Sequence, residues 1–221
     1  IQVLPGGKWV APAYGAYEDD PRATNSPAPE MRRMARFSTE LLVSGDEGRN
    51  WSWLSRIAAP GDVPDECLEG PSEVHLFQFG RLWRAVFRTS GLKNFFQPLH
   101  YSESMDRGCS WSKPRALPGV DMIMDPRGLI MPDRITVLAA GRPKIGMYLA
   151  EGENLEFHKL DLVVHHNRHL PRLRTTGHTD VVPLGPRSVL MVYDCIPDSW
   201  RWPGSPFTAP DAIYAVRIDI D

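Results

Sequence analysis

Ser44-Gly45-Asp46-Glu47-Gly48-Arg49-Asn50-Trp51 and Ser104-Met105-Asp106-Arg107-Gly108-Cys109-Ser110-Trp111 are two copies of one pattern, S-x-D-x-G-x-x-W, starting sixty positions apart. Each follows an apolar run of β type, Phe37 to Val43 before the first copy and a less regular Leu99 to Tyr101 before the second. The residue types are those of a hairpin turn. An Asp carboxylate accepts hydrogen bonds from successive turn amides, a Gly takes positive φ without steric cost, and a Trp folds back to close a small apolar plug. Asp46 and Asp106 are therefore read as turn clamps, with Ser44, Gly48, Trp51, Ser104, Gly108 and Trp111 as the structural residues around them.

A degraded third copy is legible at Ala150 to Phe157, where Phe157 takes the Trp place, Asn154 replaces the Gly, and the Ser and Asp are gone. It follows the strand-like Lys144 to Leu149 and still marks a strand–turn–strand. A second recurring element is a strand, a tight turn and a strand, at Leu4 to Val10, Phe77 to Trp83 and Leu184 to Met191. These read as the inner two strands of successive repeats. Self-similarity at this period is the signature of four-stranded β-propeller blades with generous loops. The expectation is an all-β, single-domain chain over 1–221 with four blades at roughly 1–60, 70–118, 126–165 and 176–221. No long amphipathic helical pattern intervenes. Glu18 to Glu30 and Asp198 to Asp211, rich in Pro, Ser and Asp or Gly, read as long insertions between strands.

Composition agrees with a packed, turn-rich protein: 221 residues with 42% hydrophobic residues and 21 prolines suffice for a core and argue against disorder. A net charge of −2, without basic runs interleaved with aromatics, gives no electrostatic footprint for nucleic acid. No apolar stretch approaches the roughly 20 residues of a membrane span. Cys67, Cys109 and Cys195 are widely spaced and odd in number, so at least one is unpaired within this chain. The chain opens at Ile1, without Met, in the middle of a strand–turn–strand unit. N-terminal sequence is therefore expected to be missing, and the lack of a signal peptide says nothing about export.

The pattern resembles that of the sialidase (neuraminidase) superfamily and its bacterial relatives with Asp-box (BNR) repeats, over essentially the whole chain. The resemblance implies a propeller of six-bladed type, with about four blades present and the N-terminal ones lacking. A secreted or periplasmic location would follow from it. It also implies a site for the carboxylate of an acidic sugar. In that family a Glu on an inner strand is followed across its hairpin by an Arg about fifteen positions on, and Glu73 and Arg88 stand so. Two inner strands of a blade face one central pocket, and a planar guanidinium there binds a carboxylate bidentately. The resemblance gives Glu73 the part of orienting the nucleophile and Arg88 that of holding the substrate carboxylate. A surface Glu and a strand-end Arg remain the plain alternative.

The next arginine of the carboxylate clamp falls at Arg142, eight residues before the degraded repeat, with Arg127 in Asp125-Pro126-Arg127-Gly128 as its competitor; either also reads as a solvated turn arginine. At the start of the final blade the family shows Gly-Tyr, the Tyr being the nucleophile, an exception among glycosidases that otherwise use two carboxylates. This chain reads Thr176-Gly177-His178-Thr179-Asp180, with His178 in the Tyr place. An imidazole attacking an anomeric centre would leave a cationic adduct, so His178 is read instead as an acid or base, or as a hydrogen-bonding wall. Tyr193, in Val192-Tyr193-Asp194, matches the aromatic–acid pair of the family's last blade and reads as a pocket wall.

His165, His166 and His169 lie in a polar connection beside Arg168 and Arg172, without Cys or carboxylate support, and read as a solvated loop, not a metal site. No phosphate loop or G-x-S-x-G elbow is present, and no cofactor is expected. Three functions fit: an exo-acting, sialidase-like glycosidase on terminal acidic sugars; a non-catalytic carbohydrate-binding propeller; and a propeller-type polysaccharide lyase in which His178 takes the proton α to a uronate carboxylate. The expected partner in each is a glycan or acidic sugar.

Overall fold

The computed structural model describes residues 1–16, 36–64, 67, 70–89, 97–141, 145–160, 178–195 and 212–220. Arg142, His165, His166 and His169, and the two long insertions read from the sequence, lie outside these residues. The described chain is all strand and turn, without a helix. It forms four antiparallel sheets in chain order, the number the repeats predict.

Two compact units divide the chain, Ile1–Ala116 and Leu117–Asp221. In the first, β1 (Gln2–Val3), β2 (Trp9–Gly15), β3 (Ser38–Ser44) and β4 (Ser52–Ala58) make one sheet. A second is made by β5 (Ser72–Phe79), β6 (Leu82–Arg88), β7 (His100–Ser104) and β8 (Arg115–Ala116). The alternation of the strands buries Val10 and Leu41 of one sheet with Val74, Leu76, Trp83 and Phe87 of the other. In the second unit the third sheet holds β9 (Met124–Ile130), β10 (Ile135–Gly141), β11 (Gly146–Glu151) and β12 (His158–Lys159). The last sheet holds β13 (Thr179–Gly185), β14 (Ser188–Cys195) and β15 (Ala212–Asp219). Val137, Ala139 and Met147 pack there with Val181, Val189, Met191 and Tyr193.

The two octapeptides fold alike, each between the third and fourth strands of its sheet. Ser44 Oγ donates to Asp46 Oδ1 at 2.8 Å and accepts the Gly48 N–H at 2.9 Å, while Asp46 Oδ1 accepts the Asn50 N–H at 2.8 Å. Ser104, Asp106, Gly108 and Ser110 repeat the pattern at 2.7, 2.8 and 2.9 Å. Residues 47 and 48 have φ of 60° and 82°, residues 107 and 108 of 61° and 82°, so each turn carries two successive left-handed residues, the second of them glycine. The tryptophans differ. Trp51 Nε1 donates to the Gly48 carbonyl of its own turn, whereas Trp111 Nε1 donates to Ser55 Oγ on β4, and Ser55 in turn donates to the Gly108 carbonyl. The second hairpin thereby ties the two sheets of its unit together. The stretch Ala150 to Phe157 occupies the same place between β11 and β12, held by other bonds, including Asn154 Oδ1 accepting the Glu156 N–H at 3.2 Å.

The turn amides and side chains also set an acid limit. The backbone N–H and side-chain amide of Asn50 bring the Asp46 carboxyl down from its ordinary 3.8 to about 2, and the hydroxyl and N–H of Ser110 do the same for Asp106. Both folded values lie below the unfolded one, so their contribution to stability is complete above about pH 5 and drains away as the pH falls toward 2. The melting temperature is expected to fall over that window, and to fall less steeply in Asp46→Asn/Asp106→Asn. Equal slopes in the two proteins, followed by circular dichroism, would remove these turns from the acid response.

Candidate active site

The inner strands of the second and third sheets begin in the same unusual way. In β5, Ser72 pairs with Arg88 and the register resumes at His75 with Val86, so Glu73 and Val74 oppose the single residue Phe87. In β9, Met124 pairs with Gly141 and the register resumes at Arg127 with Ala139, so Asp125 and Pro126 oppose Ala140 alone. Both are β-bulges, and the first bulged residue of each has φ of 45° although neither is glycine. The two strands thus share the bulge, its place and a carboxylate at its first residue.

In the first unit the bulge turns Glu73 toward Arg88, fifteen residues on, and Arg88 Nη1 lies 2.8 Å from Glu73 Oε1. The two side chains are about a tenth exposed, so the pair is largely desolvated. In the second unit Asp125 stands between a guanidinium and an imidazole. Its Oδ1 is 2.9 Å from Arg127 Nη2 and its Oδ2 is 3.1 Å from His178 Nδ1. The Asp125 side chain is 8% exposed, the His178 ring 54% and Arg127 40%. A buried carboxylate therefore anchors a half-exposed imidazole by one ring nitrogen, an arrangement that orients the ring.

His178 sits just before β13. Its carbonyl accepts the Asp194 N–H at 3.2 Å, and the next residue, Thr179, pairs with Tyr193 of β14. That pairing makes Asp194 the cross-strand neighbour of His178, and Asp194 is buried. Tyr193 lies in the core of the unit at 4% exposure, its ring stacked on that of Tyr214 at 5.7 Å. Among the described residues no group of three or more His, Cys, Asp or Glu side chains is placed to hold a metal ion, and no helix is long and apolar enough to cross a membrane.

Asp125 is the site residue that sequence reasoning passed over. The signal for it was present: three successive inner strands carry a carboxylate as their second residue, Glu73, Asp125 and Asp180. Aligning the strand starts, in addition to the turn octapeptides, would have singled it out beside Arg127.

No family model and no curated protein matches the chain. Solved structures do. A Dyadobacter fermentans protein of unknown function superposes with a TM-score of 0.72 at 17% identity, over 100% of this chain and 52% of its own. A family 117 glycoside hydrolase of Zobellia galactanivorans gives 0.62 at 14% identity, over 97% of this chain and 64% of its own. A Hadza microbial sialidase gives 0.53 at 11% identity, over 71% of this chain and 30% of its own. At these identities the likeness speaks for the fold. The chain has the all-β, sialidase-like propeller fold that these glycoside hydrolases share.

Proposed function

We propose that this chain is a sialidase-like exo-glycosidase acting on terminal acidic sugars of glycans, with the propeller as one domain and His178 as its acid–base group. The observation that carries the reading is the Asp125–His178 pair, a buried carboxylate 3.1 Å from a half-exposed imidazole at the head of an inner strand. Glycosidic cleavage needs a group that protonates the leaving oxygen or takes a proton from the attacking water, and imidazole titrates in the range where it can do either. A planar guanidinium suits a ligand that carries a carboxylate, and Arg88, Arg127 and Arg142 are the arginines the sequence offers for that part. With histidine in the place of the family's phenol, the covalent route through tyrosine is not available at this position. The part that the resemblance gives Glu73, orienting a nucleophilic phenol, then has no phenol at position 178 to act on, while Asp106 keeps its part as turn clamp.

The same Asp125–His178 pair supports a second reading, a lyase in which His178 removes the proton α to a uronate carboxylate. Turnover of an aryl sialoside, an aryl glucuronide and an aryl arabinofuranoside by the protein and by His178→Ala separates the possibilities. Slow release from the acidic glycosides alone is expected, reduced about 100-fold in His178→Ala. Release of an unsaturated uronate from a 4-linked oligouronate, in which the C4–O bond breaks as C5 loses its proton and the freed oxygen is protonated, would establish the lyase; binding of acidic sugars without turnover would establish the carbohydrate-binding propeller, and full activity in His178→Ala would dismiss His178 from the chemistry.

A further inference from the structure

We infer that Asp125 and Arg127 are positioning residues that act as opposing controls on the protonation of His178. This deepens the assignment of His178 as the acid–base group, and its test needs no turnover. The basis is geometric. One carboxylate meets two different groups with its two oxygens, the His178 imidazole with Oδ2 at 3.1 Å and the Arg127 guanidinium with Oδ1 at 2.9 Å. The carboxylate is nearly buried, while both partners reach solvent. Asp125 cannot leave this position without losing its bulge, because the register shift and the positive φ fix its backbone.

Each control has a definite sign. A carboxylate within hydrogen-bond reach of imidazole stabilises the charged ring and raises its titration midpoint. Arg127 works against this in two ways: it draws part of the Asp125 charge to itself and adds a second positive charge near the ring. With Nδ1 directed at Asp125, a proton exchanged with substrate passes through Nε2. The two partners thus pull the protonation of the ring in opposite directions, which suits a group that must both give and take a proton. Other ionisable groups lie near His178 in the sheet. Asp194 is its cross-strand neighbour on β14; on its own strand Asp180 bonds the Val181 N–H through Oδ1; Tyr193 and Tyr214 lie in the adjoining row. Asp194 is the one that could rival Asp125, so it must be measured alongside.

The experiment is an NMR titration of the His178 ring in the intact chain and in three variants: Asp125→Asn, Arg127→Gln and Asp194→Asn. Asparagine has the shape of Asp125 and is among the residues that best tolerate positive φ, so the bulge is retained. Asp125→Asn is expected to lower the midpoint by about 1 pH unit, and Arg127→Gln to raise it by roughly half a unit. Asp194→Asn is expected to move it less than Asp125→Asn does. A midpoint unmoved in Asp125→Asn, or moved further by Asp194→Asn, overturns the assignment of Asp125. A midpoint that falls in Arg127→Gln overturns the opposing role of Arg127. None of these outcomes depends on whether the aryl glycosides are cleaved, so failure here and failure of the glycosidase reading are separate results.

Discussion

Replacing Arg88 by alanine is expected to destabilise the first unit by about 3 kcal/mol, because it strands the Glu73 carboxylate in a largely desolvated position. The pair is short, 2.8 Å, and each side chain is only about a tenth exposed, which sets it apart from surface ion pairs that contribute little. The Glu73 backbone adds to the effect. Its φ of 45° costs about 1 kcal/mol or more for a non-glycine residue, and the bond to Arg88 is one of the contacts that hold it there. Removing both charges should be far milder than removing one, so Glu73→Gln/Arg88→Met is expected to recover at least half of the loss. Urea unfolding followed by tryptophan fluorescence reads this directly, since Trp83 lies on β6 in the same sheet. If the double variant is as unstable as Arg88→Ala alone, the pair is not what stabilises the bulge.

How much of this was open to a reader of the sequence depends on the range of the interactions. The octapeptide turns were legible because every bond that closes them, Ser44 to Asp46 or Asp106 to Ser110, joins residues at most four positions apart. The Glu73–Arg88 spacing was legible because a tight hairpin fixes its own register. That Glu73 turns toward Arg88 itself depends on a bulge and a positive φ that no residue type in Ser72-Glu73-Val74 announces. Asp125 was harder still. Its imidazole partner is 53 residues away, just ahead of the first strand of another sheet, while in sequence it stands beside Pro126 and Arg127, where the arginine drew the attention. Tyr193, read as a pocket wall from the motif around it, is a core residue of its unit at 4% exposure, a burial that sheet packing decides and alternation along one strand does not.

Alanine at Gly108 is expected to cost about 3 kcal/mol and alanine at Gly48 about 1–2 kcal/mol, although the two glycines hold the same place in the repeat and share a φ of 82°. The backbone penalty is common to both, since a Cβ in the left-handed region is strained wherever it stands. The surroundings differ. A Cβ at Gly48 would meet the Trp9 ring at 3.1 Å and the Trp51 ring at 3.5 Å, contacts that a small ring movement at a half-buried turn relieves. At Gly108 it would overlap Leu41 Cδ2 and touch Trp83 at 3.0 Å, and both of those side chains are core residues of the first unit. Leu41 is fully buried, so it has no solvent side toward which to retreat, and the overlap spreads into the packing of both sheets. Gly108 also accepts the Ser55 hydroxyl through its carbonyl, so a shift of the turn would disturb the link to Trp111 as well. Thermal or urea unfolding of the two single variants gives the difference without reference to any absolute value. Losses equal within about 0.5 kcal/mol would mean that the turn's backbone conformation alone governs both sites, and that the second hairpin is no more firmly built into its core than the first.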